Sequence, residues 1–489
     1  MWVGRAIVVA LTVLLLTMFG HPPANAVVMW HPKAALLPTP WTKLVGPENA
    51  LPDYPPRPQM RRASWMNLNG VWGYMGRSAG SVLPAPPAPS AYREQILVPY
   101  PVESALSGIE RHDDEMWYRK VVRLPSNWVG GQHVLLHFGA VDQIATVWVN
   151  NQEVARHEGG YTEFSVDITR ALHLPVPRRS PSALRTATTP IPFRSVSNAI
   201  DRRGLFYTGA SGIWQTVWME PVHATYINKV DISTSLTGMN VTPRIAGTKG
   251  QRAVVFVVKP DGGRVVAVGS AGAGDTIRLP VPEPHLWTPD DPYLYDLKVA
   301  LVDPSGKVVD AVASYAGLRT IGTMPDAQGR PRIALNNRIT FLHGPLDQGG
   351  YWPDGIYTAP TDDALKSDLL RIKDLGMNFV RKHGKVEPAR WYYWADKLGG
   401  LMVWQDMPSL DVSLDIPVGP APEPSPAAKA NFEKKELLAM IDQLRSVTSI
   451  VGWVPFNEAG GENSTPPGSP ASRRLRTPPL GWWTPTAGG

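Results

Sequence analysis

The chain has 489 residues, with 50 Pro, 44 Gly, 18 Trp, no Cys and a net charge of +6. At roughly 150 residues per domain this fits about three domains. The missing Cys excludes disulfides, thiolate catalysis and Cys-ligated metal sites, and with 18% charged residues and no long Lys/Arg run, nucleic-acid binding is not expected.

In chain order, Arg5 precedes an apolar run of 14 residues (6–19), and Ala24-Asn25-Ala26 supplies a small-x-small cleavage pattern. The run is too short to span a bilayer comfortably. Residues 1–26 therefore read as a signal peptide, with an uncleaved membrane anchor as the alternative. A secreted, cell-surface or periplasmic protein is expected, with no stable membrane span after signal cleavage.

Residues 27–222 read mostly as short alternating runs. Strands are predicted over 134–138 and 145–149, with Asn150-Asn151 as a turn and 153–155 resuming the extended pattern. Such spacing points to a β-sandwich. Residues 223–319 repeat the pattern, with strands over 254–258, 294–302 and 308–315 and a turn at 260–263. Their length suits an immunoglobulin-like sandwich.

After Arg319 the period changes. Residues 339–342 read as a strand. Thr361 can cap a helix, with Asp362 and Asp363 at its positive end. Leu365, Leu369 and Ile372, with the adjacent Leu370, give it an apolar stripe, and Gly376 ends it. Strands over 378–381, 401–404 and 450–456 alternate with helices over 388–398 and 431–444. Four strands and three helices over 320–458 make the N-terminal half of a (β/α)8 TIM barrel. Two low-complexity stretches stand apart. Residues 81–91 read as a Pro/Ala-rich surface loop, and 462–489 show no periodicity and nothing that could complete a barrel.

In such barrels chemistry gathers at strand C-termini and in the loops that follow. Those positions hold Asp347, Gln348, Tyr351, Trp352 and Asp354, then Arg381, Lys382, His383, Lys385 and Glu387, then Gln405 and Asp406, and last Asn457-Glu458. Carboxylates, amides and aromatic faces suit a sugar. Bland readings stand beside these. Trp352 and Trp404 read equally as core aromatics, Arg381 as the partner of a barrel carboxylate, His383 as a structural His, and Asp354 as a turn residue. Glu458 ends an apolar strand, where an unused and unpaired carboxylate would cost several kcal/mol, at about the level of other buried charges.

The motifs WMNLNGVW (65–72), VPYPVESALSG (98–108), WYRK (117–120), VWVN (147–150), GGYTEFSVDIT (159–169) and GIWQTVW (212–218) run through the first β region. LWTPDDPYLYDL (286–297) and SYAGLRTI (314–321) follow in the second. LDQGGYWPDGIYTAPTDD (346–363), LGMNFVRKHGKVEP (375–388), WADKLGGLMVWQDMP (394–408) and FNEAGG (456–461) lie in the third. In this order they resemble glycoside hydrolase family 2, the β-galactosidase, β-glucuronidase and β-mannosidase family. The resemblance implies a sugar-binding jelly roll, an immunoglobulin-like sandwich and a catalytic barrel. It implies a retaining exo-β-glycosidase acting on O-glycosidic bonds of a carbohydrate with a terminal β-linked sugar, β-galactosidase-like as the best guess. Glu458 matches the general acid/base and Asn457 the residue that bonds the sugar 2-hydroxyl. Arg381 and His383 match the subsite, with Asp347, Trp352 and Asp406 as further pocket residues. No cofactor is expected: a structural Mg2+ or Na+ occurs in some relatives, but no ligand set supports one. Oligomeric state is open.

Two departures qualify this expectation. Retaining hydrolysis needs a second Glu about 5–5.5 Å from the first, and the family places it on a later barrel strand. Glu462 is too close to Glu458 to serve, so the chain as written is expected to be inactive. Residues 459–489 read as a disordered or frameshifted tail. Shifting the codon phase lets 461–465 read Gly-Glu-Phe-Asp-Thr, a family-like string, and Trp482-Trp483-Thr484 read Val-Asp. A non-catalytic carbohydrate-binding protein or a decayed pseudogene product are the alternatives. Residues 174–203 also depart from the family pattern, which leaves the last strands of the first sandwich in doubt.

Overall fold

The computed structural model describes residues 27–78, 83–128, 132–172, 208–248, 250–260, 263–348, 351–408, 435–455 and 457, and the backbone of 182–187 and 482–483. Among these residues the protein is a multidomain, β-rich molecule. The predicted signal peptide, Glu458 and most of the tail lie outside them.

The first region is a sandwich of two antiparallel sheets, one of six strands and one of four. Ile144–Val149 and Gln152–Glu158 form a hairpin in the six-stranded sheet. Asn150 and Asn151 join them with φ of 51° and 65°, the left-handed pair that matches strand twist. Between the sheets, Trp72, Tyr74, Ile96 and Tyr118 pack against Leu136, Phe138, Val217 and Met219. Ser182–Ala187 pairs with Glu115–Lys120 on one side and Ile144–Val149 on the other. A strand therefore stands where the sequence left the sandwich in doubt.

The second region is a smaller sandwich of three and four strands. Tyr295–Val302 shows the period of a half-buried strand: Tyr295, Leu297, Val299 and Leu301 are fully buried. They meet Val230, Ile232, Val241 and Leu279 of the facing sheet. The two sandwiches are tied by Arg62, buried between Glu220 at 3.0 Å and Asp310 at 2.8 Å.

The third region is a parallel sheet with helices. Its elements are β1 (Leu346–Gln348), α1 (Asp362–Asp374), β2 (Phe379–His383), α2 (Ala389–Trp394), β3 (Met402–Asp406), α3 (Leu437–Leu444), β4 (Ile450–Val454) and β5 (Trp482–Trp483). The strands pair in sequence order, all parallel. Thr361 caps α1 by accepting the Ala364 N–H at 3.2 Å. Gly376, at φ +76°, takes the left-handed turn after it.

Three expectations change. Residues 339–342 do not begin the parallel sheet: Arg338–Ile339 closes a small antiparallel sheet, and the first parallel strand is β1. Asn336 and Asn337 turn the chain back there, with φ of 52° and 60°. Leu370 lies off the α1 stripe and is exposed, whereas Leu365 and Leu369 are buried. The tail contributes β5, which continues the sheet beyond β4. Among the described residues no helix is long and apolar enough to cross a membrane.

Candidate active site

Strand alternation sorts the third region's side chains onto two faces. On β2, Val380 and Lys382 turn toward the helices; Val380 packs with Leu365, Leu369 and Trp391. Phe379, Arg381 and His383 take the other face. There the polarity is graded along the strands. At their N-terminal ends Phe379, Met402 and Val451 join Trp287 and Tyr315 of the second sandwich in an apolar cluster. Trp404 follows, edge-on to Phe379 at 5.5 Å. Its ring lies over Gly452, where a Cβ would come within 2.6 Å of the indole. At the C-terminal ends the polar residues gather.

Asp406 is the hub. Its side chain is fully buried, a costly position for a carboxylate unless it is paired. Arg381 pairs it: Nη2 donates at 2.8 Å and Nε at 3.1 Å. His383 Nδ1 lies 2.8 Å from the same Oδ2. A carboxylate only accepts, so Nδ1 carries a proton. Arg381 Nη2 also donates to Asn457 Oδ1 at 2.7 Å. That contact fixes the amide: its oxygen faces Arg381 and its NH2 group is the side left to donate.

The structure thus brings Arg381, His383, Asp406 and Asn457 together at the C-terminal ends of β2, β3 and β4. It does not bring Asp347 or Trp352 to them. Asp347 is in register with Lys382 across β1 and β2, on the helix-covered face, and pairs with it at 2.8 Å. Lys382 is fully buried and also meets Glu387 at 2.5 Å, which pairs in turn with buried Lys385 at 2.9 Å. Burial pushes Lys385 down to about 8, against the pull of Glu387. Trp352 is a core residue, edge-on to Trp41 at 5.9 Å. Asp354 is buried and accepts from the Thr39 hydroxyl at 3.0 Å and from the Thr42 hydroxyl. Gln405 is buried and accepts from Tyr392 Oη at 2.6 Å. Tyr351 donates to the Thr208 carbonyl.

Sequence reading offered Arg381 as the partner of a barrel carboxylate without naming Asp406 as that partner, and it missed the ionic cluster beneath the sheet. The cluster had a signal: Lys382 lies between Arg381 and His383, so alternation puts it on the opposite face.

Among comparisons with known proteins, the family models fall on the two sandwiches. Residues 83–174 match the model of the glycosyl hydrolases family 2 sugar binding domain, and 222–319 match glycosyl hydrolases family 2. A beta-glucuronidase of Felis catus is 30% identical over 257 residues, 47% of this chain and 38% of its own length. A beta-galactosidase of Thermoanaerobacter pseudethanolicus is 25% identical over 310 residues, 60% of this chain and 39% of its own. The chain therefore spans well under half the length of these relatives. The structure of a Bifidobacterium dentium beta-glucuronidase complexed with coumarin-3-O-glucuronide superposes with a TM-score of 0.66 at 19% identity, over 82% of this chain and 69% of the other. At that identity the likeness speaks for the fold alone. With both sandwiches matched in order and the fold shared, these findings support glycoside hydrolase family 2.

Proposed function

We propose that the protein is a retaining exo-β-glycosidase that hydrolyses the O-glycosidic bond to a terminal β-linked sugar, with residues 320–458 as the first half of its catalytic (β/α)8 barrel. The observation that carries this reading is the Arg381–Asp406–Asn457 network at the strand C-termini, where barrel enzymes hold their chemistry. Asp406 holds Arg381, Arg381 turns the Asn457 amide, and its NH2 group is aimed to bind a sugar hydroxyl. Glu458, the next residue, takes the role of general acid/base: it protonates the leaving oxygen and then activates water. The nucleophile is a second carboxylate on the opposite side of the sugar. Asp406 does not fit that role, because Arg381 and His383 hold it. A non-catalytic carbohydrate-binding protein is the second reading of the same face.

For the sugar we favour a neutral hexose such as galactose, because Arg381, the described cation on this face, is already paired with Asp406. A β-glucuronide is the second reading, favoured by the feline relative. Export through residues 1–26 is part of the proposal; N-terminal sequencing of secreted protein, expected to begin at Val27, tests it.

The central test is turnover of 4-nitrophenyl β-galactoside and β-glucuronide with and without sodium azide. Aryl release is expected, in buffer or with azide as a substitute nucleophile that yields the α-glycosyl azide, and it is faster from the galactoside. No product from either sugar under either condition contradicts the glycosidase site.

A further inference from the structure

The second sandwich meets the loop between α3 and β4 at a small cavity of about 50 Å3. Its polar lining is Ser233, Thr234, Arg319, Arg445, Ser446 and Thr448: two guanidinium groups and four hydroxyls, with no carboxylate. Arg319 spends Nε on the Thr448 carbonyl at 2.8 Å and Nη2 on the Ile450 carbonyl at 2.6 Å. Its Nη1 has no partner among the described residues. Carbonyl dipoles do not neutralise a charge, and burial pushes this guanidinium down to about 10.

Arg445 is little better served. Its carboxylate neighbour is Asp442, at 3.7 Å. Asp442 is already taken by Lys229 at 2.9 Å and Arg244 at 2.6 Å. Asp396, behind the loop, accepts from the Ser449 and Thr448 N–H groups and the Tyr315 hydroxyl, and its charge acts on Arg319 without a direct contact, opposing the effect of burial. The cavity is thus bordered by two positive charges and lined by no carboxylate. Two part-buried guanidinium groups on one cavity favour an anion between them. The Thr448 hydroxyl accepts the Gly317 N–H at 3.0 Å, so its own proton is left to give.

We propose that this cavity binds a small tetrahedral oxyanion, inorganic phosphate or sulfate, held by Arg319, Arg445 and the Thr448 hydroxyl. The size fits: at about 10–15 Å3 for each water, the cavity has room for about four waters or one such anion. Guanidinium forks suit its oxygens. The bound anion ties the second sandwich to the start of β4, the strand that leads to Asn457. The proposal does not rest on glycosidase activity.

Thermal unfolding and calorimetry of the 489-residue chain in sodium phosphate, sodium sulfate, or chloride of matched ionic strength test it. A saturable rise in Tm and a saturable heat are expected with phosphate or sulfate and absent with chloride, and the oxyanion that binds more tightly is the natural occupant. Arg445→Gln, a partly exposed position, is expected to keep the parent Tm in chloride and to weaken the oxyanion at least tenfold. No saturable heat with the parent chain overturns the proposal, whatever the variant does. Binding undiminished in Arg445→Gln also overturns it.

Discussion

Asp406 and its partners show how a single buried carboxylate organises a polar face. The carboxylate orients a guanidinium and an imidazole at once, and the guanidinium passes the constraint on to Asn457. Replacing Asp406 by Asn keeps the shape but leaves Arg381 without a counter-charge. The guanidinium left behind is 25% exposed, so the loss is expected to fall between about 1 kcal/mol for an exposed pair and about 3–5 kcal/mol for a fully buried one. Urea denaturation of Asp406→Asn is expected to show a loss of that order. A loss under about 1 kcal/mol, the worth of an exposed pair, would mean that the pair is solvated.

At the scale of the element, the helix ends and the strand crossings carry specific demands. Thr361→Ala removes the α1 cap and is expected to cost about 1 kcal/mol in the same denaturation experiment. Gly452→Ala places a methyl group against the Trp404 ring, and overpacking of this kind costs about 1–3 kcal/mol. A red shift of tryptophan fluorescence is expected with it as the indole moves. The sequence made α1 legible, its cap included and its stripe except for Leu370, because a local rule governs each residue. It also made the hairpin at Asn150-Asn151 legible for the same reason. It did not disclose that 339–342 turn back into an antiparallel sheet, since a short apolar run reads alike in either direction. Nor did it separate Asp347 from Arg381: the face a residue takes depends on register with a neighbouring strand, which a single strand does not encode. That Arg381, His383, Asp406 and Asn457 come together was legible because each lies in or just beyond the C-terminal part of a strand of the same parallel sheet.

At the scale of the whole molecule, buried acids sit where the regions join. Glu436, at the start of α3, meets the first sandwich beside Glu158. Burial, reinforced by Glu158 and opposed by Lys435, pushes it up to about 7 from an ordinary 4.5. A carboxyl raised in the folded state stabilises most below its unfolded value, and that contribution is lost as pH rises through the folded one. Relative to the parent, Glu436→Gln should therefore gain stability between pH 5 and pH 8, by at most about 3 kcal/mol. Denaturation curves of both proteins across that range check it, and a constant difference would contradict it. The most direct test of the central claim, that the Arg381–Asp406–Asn457 face holds the sugar, is titration calorimetry of the parent chain and of Asn457→Ala with methyl β-galactoside and methyl β-glucuronide. The account predicts saturable binding, tighter for the galactoside and at least tenfold weaker in Asn457→Ala. No binding of either glycoside, or equal binding by both proteins, would contradict it.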